Sequence, residues 1–290
     1  MNREHYPALY LGADSASNHA QKEYLNLLRA EYFLLVCAAA FSMIRGTEKN
    51  FLILYALIFV AAAAMLLFRS FRKPEQGWYR CRALAESIKT STWRYMMRSE
   101  PFDDAESIRI PRAEFRNYLR EILRYNKQVG ENIAGYSSDE EQITNEMERV
   151  RLLSLEQRKE FYKSLRISDQ RKWYAKKAGV NKSAFRLWVS IMFLVYLIAT
   201  LSVLLRISFP EIKLWPTEPL TVLAASIVGW IQIKKFNELS SSYTLTAHEI
   251  GIIQDRIDEI EGESEFSDFV NEAELAFSRE HTQWVARQHE

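Results

Sequence analysis

Two stretches of nineteen residues without a charged side chain, Asn50–Phe68 (NFLILYALIFVAAAAMLLF) and Leu187–Leu205 (LWVSIMFLVYLIATLSVLL), constrain this chain more than any other feature. A helix of about 20 apolar residues crosses a hydrocarbon core about 30 Å thick. Each stretch has a shorter neighbour. Tyr32–Ile44 holds thirteen uncharged residues, flanked by Arg29, Glu31 and Arg45, whose stems can carry their charges to the interface. Pro219–Ile233 holds fifteen, extended by Leu214, Trp215, Pro216 and Thr217. Runs this short also suit a buried core helix. Their place beside a full-length run, across a short tip, favours two membrane hairpins. The expected spans are about 30–46 and 50–69, then about 186–206 and 215–234.

The spans are a minority of the chain. With 48% hydrophobic residues and a mean hydropathy of −0.23, a transporter built mostly of spanning helices is excluded. Aromatic content of 13% excludes disorder. Cys37 and Cys81 are too few for a disulfide framework or a metal quartet. A net charge of +1 excludes a protein that coats nucleic acid, and no DNA or RNA duplex binding is expected. The first thirty residues are polar, unlike a cleavable signal peptide. The tips carry few cations, Arg45 and Lys49 on one and Arg206 and Lys213 on the other. The opposite flanks carry Arg69, Arg72 and Lys73, then Arg171, Lys172, Lys176, Lys177, Lys182 and Arg186, with Lys234 and Lys235 after the last span. This asymmetry places both termini and the long middle segment in the cytoplasm.

The soluble parts read as helices, and the fold class is all-α. Behind the first hairpin, Trp78, Cys81, Ala85, Ile88, Thr92 and Tyr95 mark one face of a trailing helix at 76–98. Behind the second, Phe236, Leu239, Tyr243, Thr246, Ile250, Ile253, Ile257 and Ile260 step by threes and fours, a heptad seam within a helix at 235–261. The reading takes Leu239, Tyr243, Ile250, Ile253, Ile257 and Ile260 as a seam between subunits. A last helix at 267–288 carries Val270, Ala273, Phe277 and Trp284 on one face. Between the hairpins, Pro111 opens a helix with Phe115, Tyr118, Ile122, Tyr125 and Val129, broken by Gly130 and Gly135. Ser138 with Glu141, and Ser154 with Gln157, resemble capping boxes. The chain divides into a first unit at 1–100, a helical linker at 101–167 and a second unit at 168–290, a tandem in pattern rather than identity. The middle segment 75–185 holds 22 Lys and Arg against 17 Asp and Glu, and the tail 236–290 holds 3 against 13. These opposed charges are expected to pack together or against neighbouring subunits.

No phosphate-binding glycine loop, dinucleotide fingerprint or nucleophile elbow is present, and no enzyme activity is expected. His248–Glu249 does not continue to a zinc helix, because position 252 is Ile. Asp103–Asp104 lacks a third nearby ligand, and neither metal nor cofactor is expected. An anionic ligand has two candidate sites. Arg116, Arg120, Arg124 and Lys127 form a stripe, and Lys172 and Lys176 surround Trp173; guanidinium groups grip phosphate and an aromatic ring stacks a base. A solvated face and a juxtamembrane belt for anionic lipid explain the same charges. In the spans, Ser190, Thr200, Ser202, Thr221 and Ser226 could line a water path or simply pack helices. Ala38 with Ser42 and Ala225 with Gly229 have the small-xxx-small spacing of close helix contacts. No span has the charged centre that proton-coupled transport uses.

One resemblance covers roughly residues 20–290. WYRCRALAESIKTSTWRYMM (Trp78–Met97) is similar to the signature of the SLATT proteins, two-span effector domains associated with nucleotidyltransferases and SLOG sensor domains. DQRKWYAKKA (Asp169–Ala178), SYTLTAHEI (Ser242–Ile250) and SREHTQWVAR (Ser278–Arg287) resemble a second, C-terminal type of the same domain. Arg82, Glu86, Trp93 and Arg94 match the first motif, and Glu249, Trp284 and Arg287 the second; Arg82 and Glu86 stand four apart and can pair on one helix face.

The resemblance implies a pore-forming effector of bacterial anti-phage defence in the inner membrane. It implies a separate nucleotidyltransferase partner whose cyclic or linear oligonucleotide messenger opens the pore or holds it shut, while the heptad tail points to a homo-oligomer, with four subunits expected. Loss of membrane integrity then aborts the infection. A non-conducting scaffold that recruits cytoplasmic partners, and a protein that deforms the bilayer without a pore, are the competing readings.

Overall fold

A computed structural model describes residues 1–44, 46, 48–104, 107–125, 129–136 and 141–286, apart from the side chains of 131 and 278–286. Among them there is no strand. The helices are α1 (Ala8–Ser42), α2 (Lys49–Arg72), α3 (Pro74–Met97), α4 (Arg109–Tyr125), α5 (Gly130–Ile133), α6 (Asn145–Arg151) and α7 (Leu155–Tyr162), then α8 (Ser168–Ser208), α9 (Thr217–Lys234), α10 (Phe236–Arg256) and α11 (Glu263–Ala286). A five-residue π-helical stretch, Lys163–Ile167, carries α7 into α8. Three helical runs, Ala8–Ser42, Lys49–Met97 and Leu155–Ser208, are long and apolar enough to cross a membrane. The expected fourth span, α9, is an eighteen-residue helix with Glu218 near one end and Lys234 at the other. It does not reach that measure.

The chain forms two compact units, each assembled from separate stretches. One comprises Met1–Gln21, Glu75–Lys176 and Ser242–Glu290. Its core gathers Trp93, Tyr95, Met96, Met97, Phe102, Phe115, Met147, Tyr162, Phe266, Val270 and Phe277. Helix α3 turns the expected face inward, with Cys81, Ala85, Ile88, Thr92 and Tyr95 all fully buried. Val270, Ala273 and Phe277 do the same on α11; Trp284 of that face lies outside the described side chains. The acidic tail meets the basic middle here: Lys163 pairs with Asp258 at 2.6 Å, and Arg158 pairs with Glu263.

The heptad seam requires a correction. Ile250, Ile257 and Ile260 are buried in the core of their own chain, with Tyr243 and Ile253 packed against it. A period of 3.5 marks which face is covered and leaves open what covers it. Here Ile250, Ile257 and Ile260 are covered by their own unit, while Leu239 lies in the other unit and is half-buried. The α6 cap also differs from expectation. Ser138 lies outside the described residues, and the Thr144 hydroxyl accepts from the Met147 N–H at 3.3 Å instead. The second box forms as read: Ser154 Oγ accepts from Gln157 N, and Ser154 N donates to Gln157 Oε1 at 3.2 Å.

The other unit comprises Lys22–Pro74 and Lys177–Ser241. Its outward side chains are apolar, among them Leu57, Val60, Leu67, Phe193, Leu197 and Leu204. In a water-soluble helix those faces would be polar. Helices α1 and α2 run antiparallel, joined by Arg69–Glu31 at 3.0 Å and Arg72–Glu23 at 3.7 Å. Phe41 and Phe51 stack at 5.7 Å by their connection. Helices α8 and α9 pack Val195 against Ala224 and Ile227, ringed by Trp188, Ile191, Met192, Leu220 and Leu223. Of the small residues read as close contacts, Ala38 is buried. Gly229 also admits a neighbour, since a Cβ there would lie 2.6 Å from the Tyr32 hydroxyl.

Candidate functional site

The stripe on α4 is a solvent face. Phe115 and Leu119 anchor the helix in the core, so positions one and five residues beyond Phe115 point outward. Arg116, Arg120 and Arg124 are all exposed. Arg120 donates to Asn117 Oδ1 at 3.2 Å, and Arg124 lies 5.9 Å from the ring of Tyr125. Lys127, the fourth member, lies outside the described residues. Side chains this open can meet a soluble anion without a preformed cavity.

The second cluster sits on α8. Lys172 and Lys176 are exposed, and Trp173 is 38% exposed. Trp173 meets Tyr174 edge-on at 4.9 Å and Tyr243 of α10 at 5.7 Å. The structure thus brings a residue read as ligand-binding against one read as part of the seam. Arg171 donates to Gln254 of α10 at 3.2 Å.

Deeper in the same unit lies a charged network that sequence reasoning missed. Glu274 of α11 is fully buried, and Arg166 of the π-helical stretch grips both its oxygens, Nε at 2.8 Å and Nη2 at 2.6 Å. The Tyr162 hydroxyl donates to Glu274 at 3.0 Å. The guanidinium also faces Trp93 at 5.8 Å and Phe277 at 5.1 Å. With its amide turned to suit its neighbours, Gln170 accepts from Arg166 at 3.0 Å and from Lys89 Nζ at 3.2 Å. Desolvation would pull Arg166 down, but the charge and hydrogen bonds of Glu274, joined by Tyr6 and Tyr162, together outweigh it, and its pKa is raised. Burial lowers the Lys89 pKa, and the Glu86 and Glu274 charges offset this only in part. Trp93 Nε1 donates to Tyr6 at 3.0 Å, and burial pushes the Tyr6 phenol up to about 12.

Two more buried arginines close the C-terminal end of α3, where carbonyls have no intrahelical partner. Arg151 donates to Tyr95 O at 2.5 Å and to Asp104 O at 2.8 Å. Arg158 donates to Met97 O at 2.7 Å and pairs with Glu263 in the first turn of α11. Cations at one helix C-terminus and an anion at another's N-terminus both suit the helix dipole. Arg151, Arg158 and Arg166 share the apolar stripe of Met147, Val150 and Tyr162, and that placement was the available signal. The network holds no nucleophile–base pair, and no cluster of metal ligands occurs among the described residues.

The motif residues are partly accounted for by this packing. Arg82 pairs with Glu86 at 2.6 Å, as their spacing suggested, and with Asp14 at 3.7 Å. Trp93 is wholly buried, and Arg94 reaches Asn271 O at 3.5 Å. Glu249 is exposed; Arg287 lies outside the described residues. In the apolar unit, Thr200, Ser202, Thr221 and Ser226 each donate to the carbonyl four residues back, at 2.8–2.9 Å. Ser202 and Ser226 are buried, whereas Ser190, Thr200 and Thr221 are exposed.

The chain belongs to the SLATT family. Residues 7–159 match the SMODS and SLOG-associating 2TM effector domain 3, and residues 162–284 match the SMODS and SLOG-associating 2TM effector domain 1. The first match holds α1–α6 and the start of α7, and the second α8–α10 and most of α11, so each carries two apolar helices followed by less apolar ones. No curated protein and no solved structure matches the chain.

Proposed function

We propose that this chain is a pore-forming membrane effector of bacterial anti-phage defence, working as a homo-oligomer and gated by a nucleotide messenger. The observation that carries the reading is the outward apolar surface of one unit, where the other has its large apolar side chains packed into a core. All four apolar helices span in this reading. Helix α9 is about 27 Å long at 1.5 Å per residue, and Trp215 and Lys234 at its ends suit the two interfaces. The termini and the soluble unit face the cytoplasm of the inner membrane.

Several copies must assemble, because the hydroxyls of one copy are spent on their own helices and its buried α8–α9 contact is apolar. The assembling surface is the apolar unit, since the tail seam is consumed within the chain. The exposed arginines Arg116, Arg120 and Arg124 take the messenger's phosphates, with Lys172, Trp173 and Lys176 as a second contact. The messenger comes from a separate nucleotidyltransferase, and opening of the pore ends the infection with the cell. Helix α8 joins the ligand-facing side chains at 172–176 to the apolar run at 187–205 in one continuous element.

The satisfied hydroxyls also favour a second reading, a non-conducting scaffold that recruits cytoplasmic partners. Mass photometry of the detergent-extracted chain tests the assembly step. Multiples of 34.0 kDa above the detergent contribution are expected, and a monomer at all working concentrations overturns the pore.

A further inference from the structure

Within the apolar unit, cations from two helices gather at one indole. The Arg29 guanidinium on α1 lies over the Trp230 ring of α9, 5.1 Å from its centre. Lys234 Nζ, one turn further along α9, lies 5.9 Å from the same ring and 5.9 Å from Phe236. Arg29 and Lys177 of α8 are the neighbouring charges that act on Lys234. Trp230 is held against Trp188 at 6.2 Å, and its Nε1 is buried with no acceptor among the described residues.

The nearby carboxylates serve other cations: Glu31 pairs with Arg69, Glu23 with Arg72, and Glu238 with Lys235. Two like charges over one aromatic ring repel one another, and an anion between them relieves that repulsion. The ring face offsets only part of that repulsion. The position in the fold indicates which anion. Arg29 stands just before the first apolar run, and Lys234 closes the last apolar helix. Both mark the same end of the apolar segments, where headgroup phosphates lie and basic pockets between helices hold anionic lipid.

We propose that Arg29 and Lys234, gathered round Trp230, form a binding site for the phosphate of an anionic lipid headgroup. Arg29 donates to Asn26 Oδ1 through one nitrogen, and the rest of its planar fork offers the paired donors that phosphate takes. The site requires neither conduction nor a messenger, so it stands or falls apart from the function proposed above.

The test titrates the full chain in detergent with phosphatidylglycerol, phosphatidylcholine or inorganic phosphate, read by native mass spectrometry. Phosphatidylglycerol is expected to bind about tenfold tighter than phosphatidylcholine, as several interfacial cations predict. The double substitution Arg29→Gln/Lys234→Gln is expected to erase that preference. Trp230→Phe keeps the ring, loses the N–H and is expected to weaken binding a few-fold. Arg206→Gln, at the opposite end of α8, is expected to change nothing, and all variants are compared at matched thermal midpoints. Equal affinity for the two lipids, or an unchanged preference in the double variant, overturns the proposal. Displacement of bound lipid by millimolar inorganic phosphate also overturns it, since the cluster would then serve a soluble anion.

Discussion

Lys73 and Lys235 occupy the same point of the two repeats with the same backbone, φ 45° and 46°. Each closes an apolar helix by donating its N–H to the carbonyl four residues back, Arg69 in one and Ile231 in the other. A soluble helix begins at the very next residue, Pro74 or Phe236. A left-handed residue with a side chain is strained by roughly 1–2 kcal/mol, so a shared one marks a bend that both repeats need.

Glycine carries no such strain. Lys73→Gly and Lys235→Gly are each expected to leave the thermal midpoint unchanged or raise it, whereas β-branched Lys235→Val lowers stability by about 1–2 kcal/mol. Thermal unfolding in detergent checks this. A Val variant as stable as the Gly variant would show that the bend is not required.

Arg166 and Glu274 are buried together, and either charge alone would be stranded. Glu274→Ala or Arg166→Met is expected to cost about 3–5 kcal/mol, while the double variant Arg166→Met/Glu274→Leu recovers most of the loss. A double-mutant cycle on unfolding midpoints reads the coupling. Additive losses would place the stabilisation in packing rather than in the pair.

How much of this was legible follows the range of the interactions. The inward face of α3, from Cys81 to Tyr95, was legible because a helix face is a local period. The Ser154–Gln157 box was legible for the same reason. The seam from Ile250 to Ile260 showed that a stripe is covered, yet its cover comes from residues far away in sequence. Arg151, Arg158 and Arg166 were hidden, because an arginine reads as surface until its partner is known. Asp104, a partner of Arg151, stands 47 residues away, and Glu274, the partner of Arg166, stands 108 away. The α4 arginines were correctly read as one exposed stripe, but nothing local to them shows a ligand.

The seam correction has its own consequence. Ile257 is 1% exposed within one chain, so Ile257→Ala is expected to destabilise the soluble unit by about 2–4 kcal/mol and leave the oligomeric state unaltered. Ile252 is 68% exposed, and Ile252→Ser is expected to be nearly neutral. Thermal unfolding with mass photometry separates the two effects. Dissociation of an otherwise stable Ile257 variant would restore the seam as an interface.

Tyr6 gives the soluble unit an alkaline limit. Burial raises its pKa from 10.0 to about 12, so between those values the unfolded chain loses the proton and the folded chain keeps it. Its contribution is fully present below pH 10 and is lost as pH rises towards 12, by about 1.4 kcal/mol per unit at most. Tyr6→Phe is expected to flatten the fall in thermal midpoint over that range. An unchanged slope would assign the alkaline loss to other groups.

Single-channel recording of the purified chain in a planar bilayer, with and without a panel of cyclic and linear oligonucleotides, tests the central claim most directly. The account predicts discrete conductance steps whose open probability changes with one nucleotide, an effect lost when Arg116, Arg120 and Arg124 are all replaced by Ala. A silent bilayer, with insertion and assembly both verified, would contradict the pore and leave the scaffold.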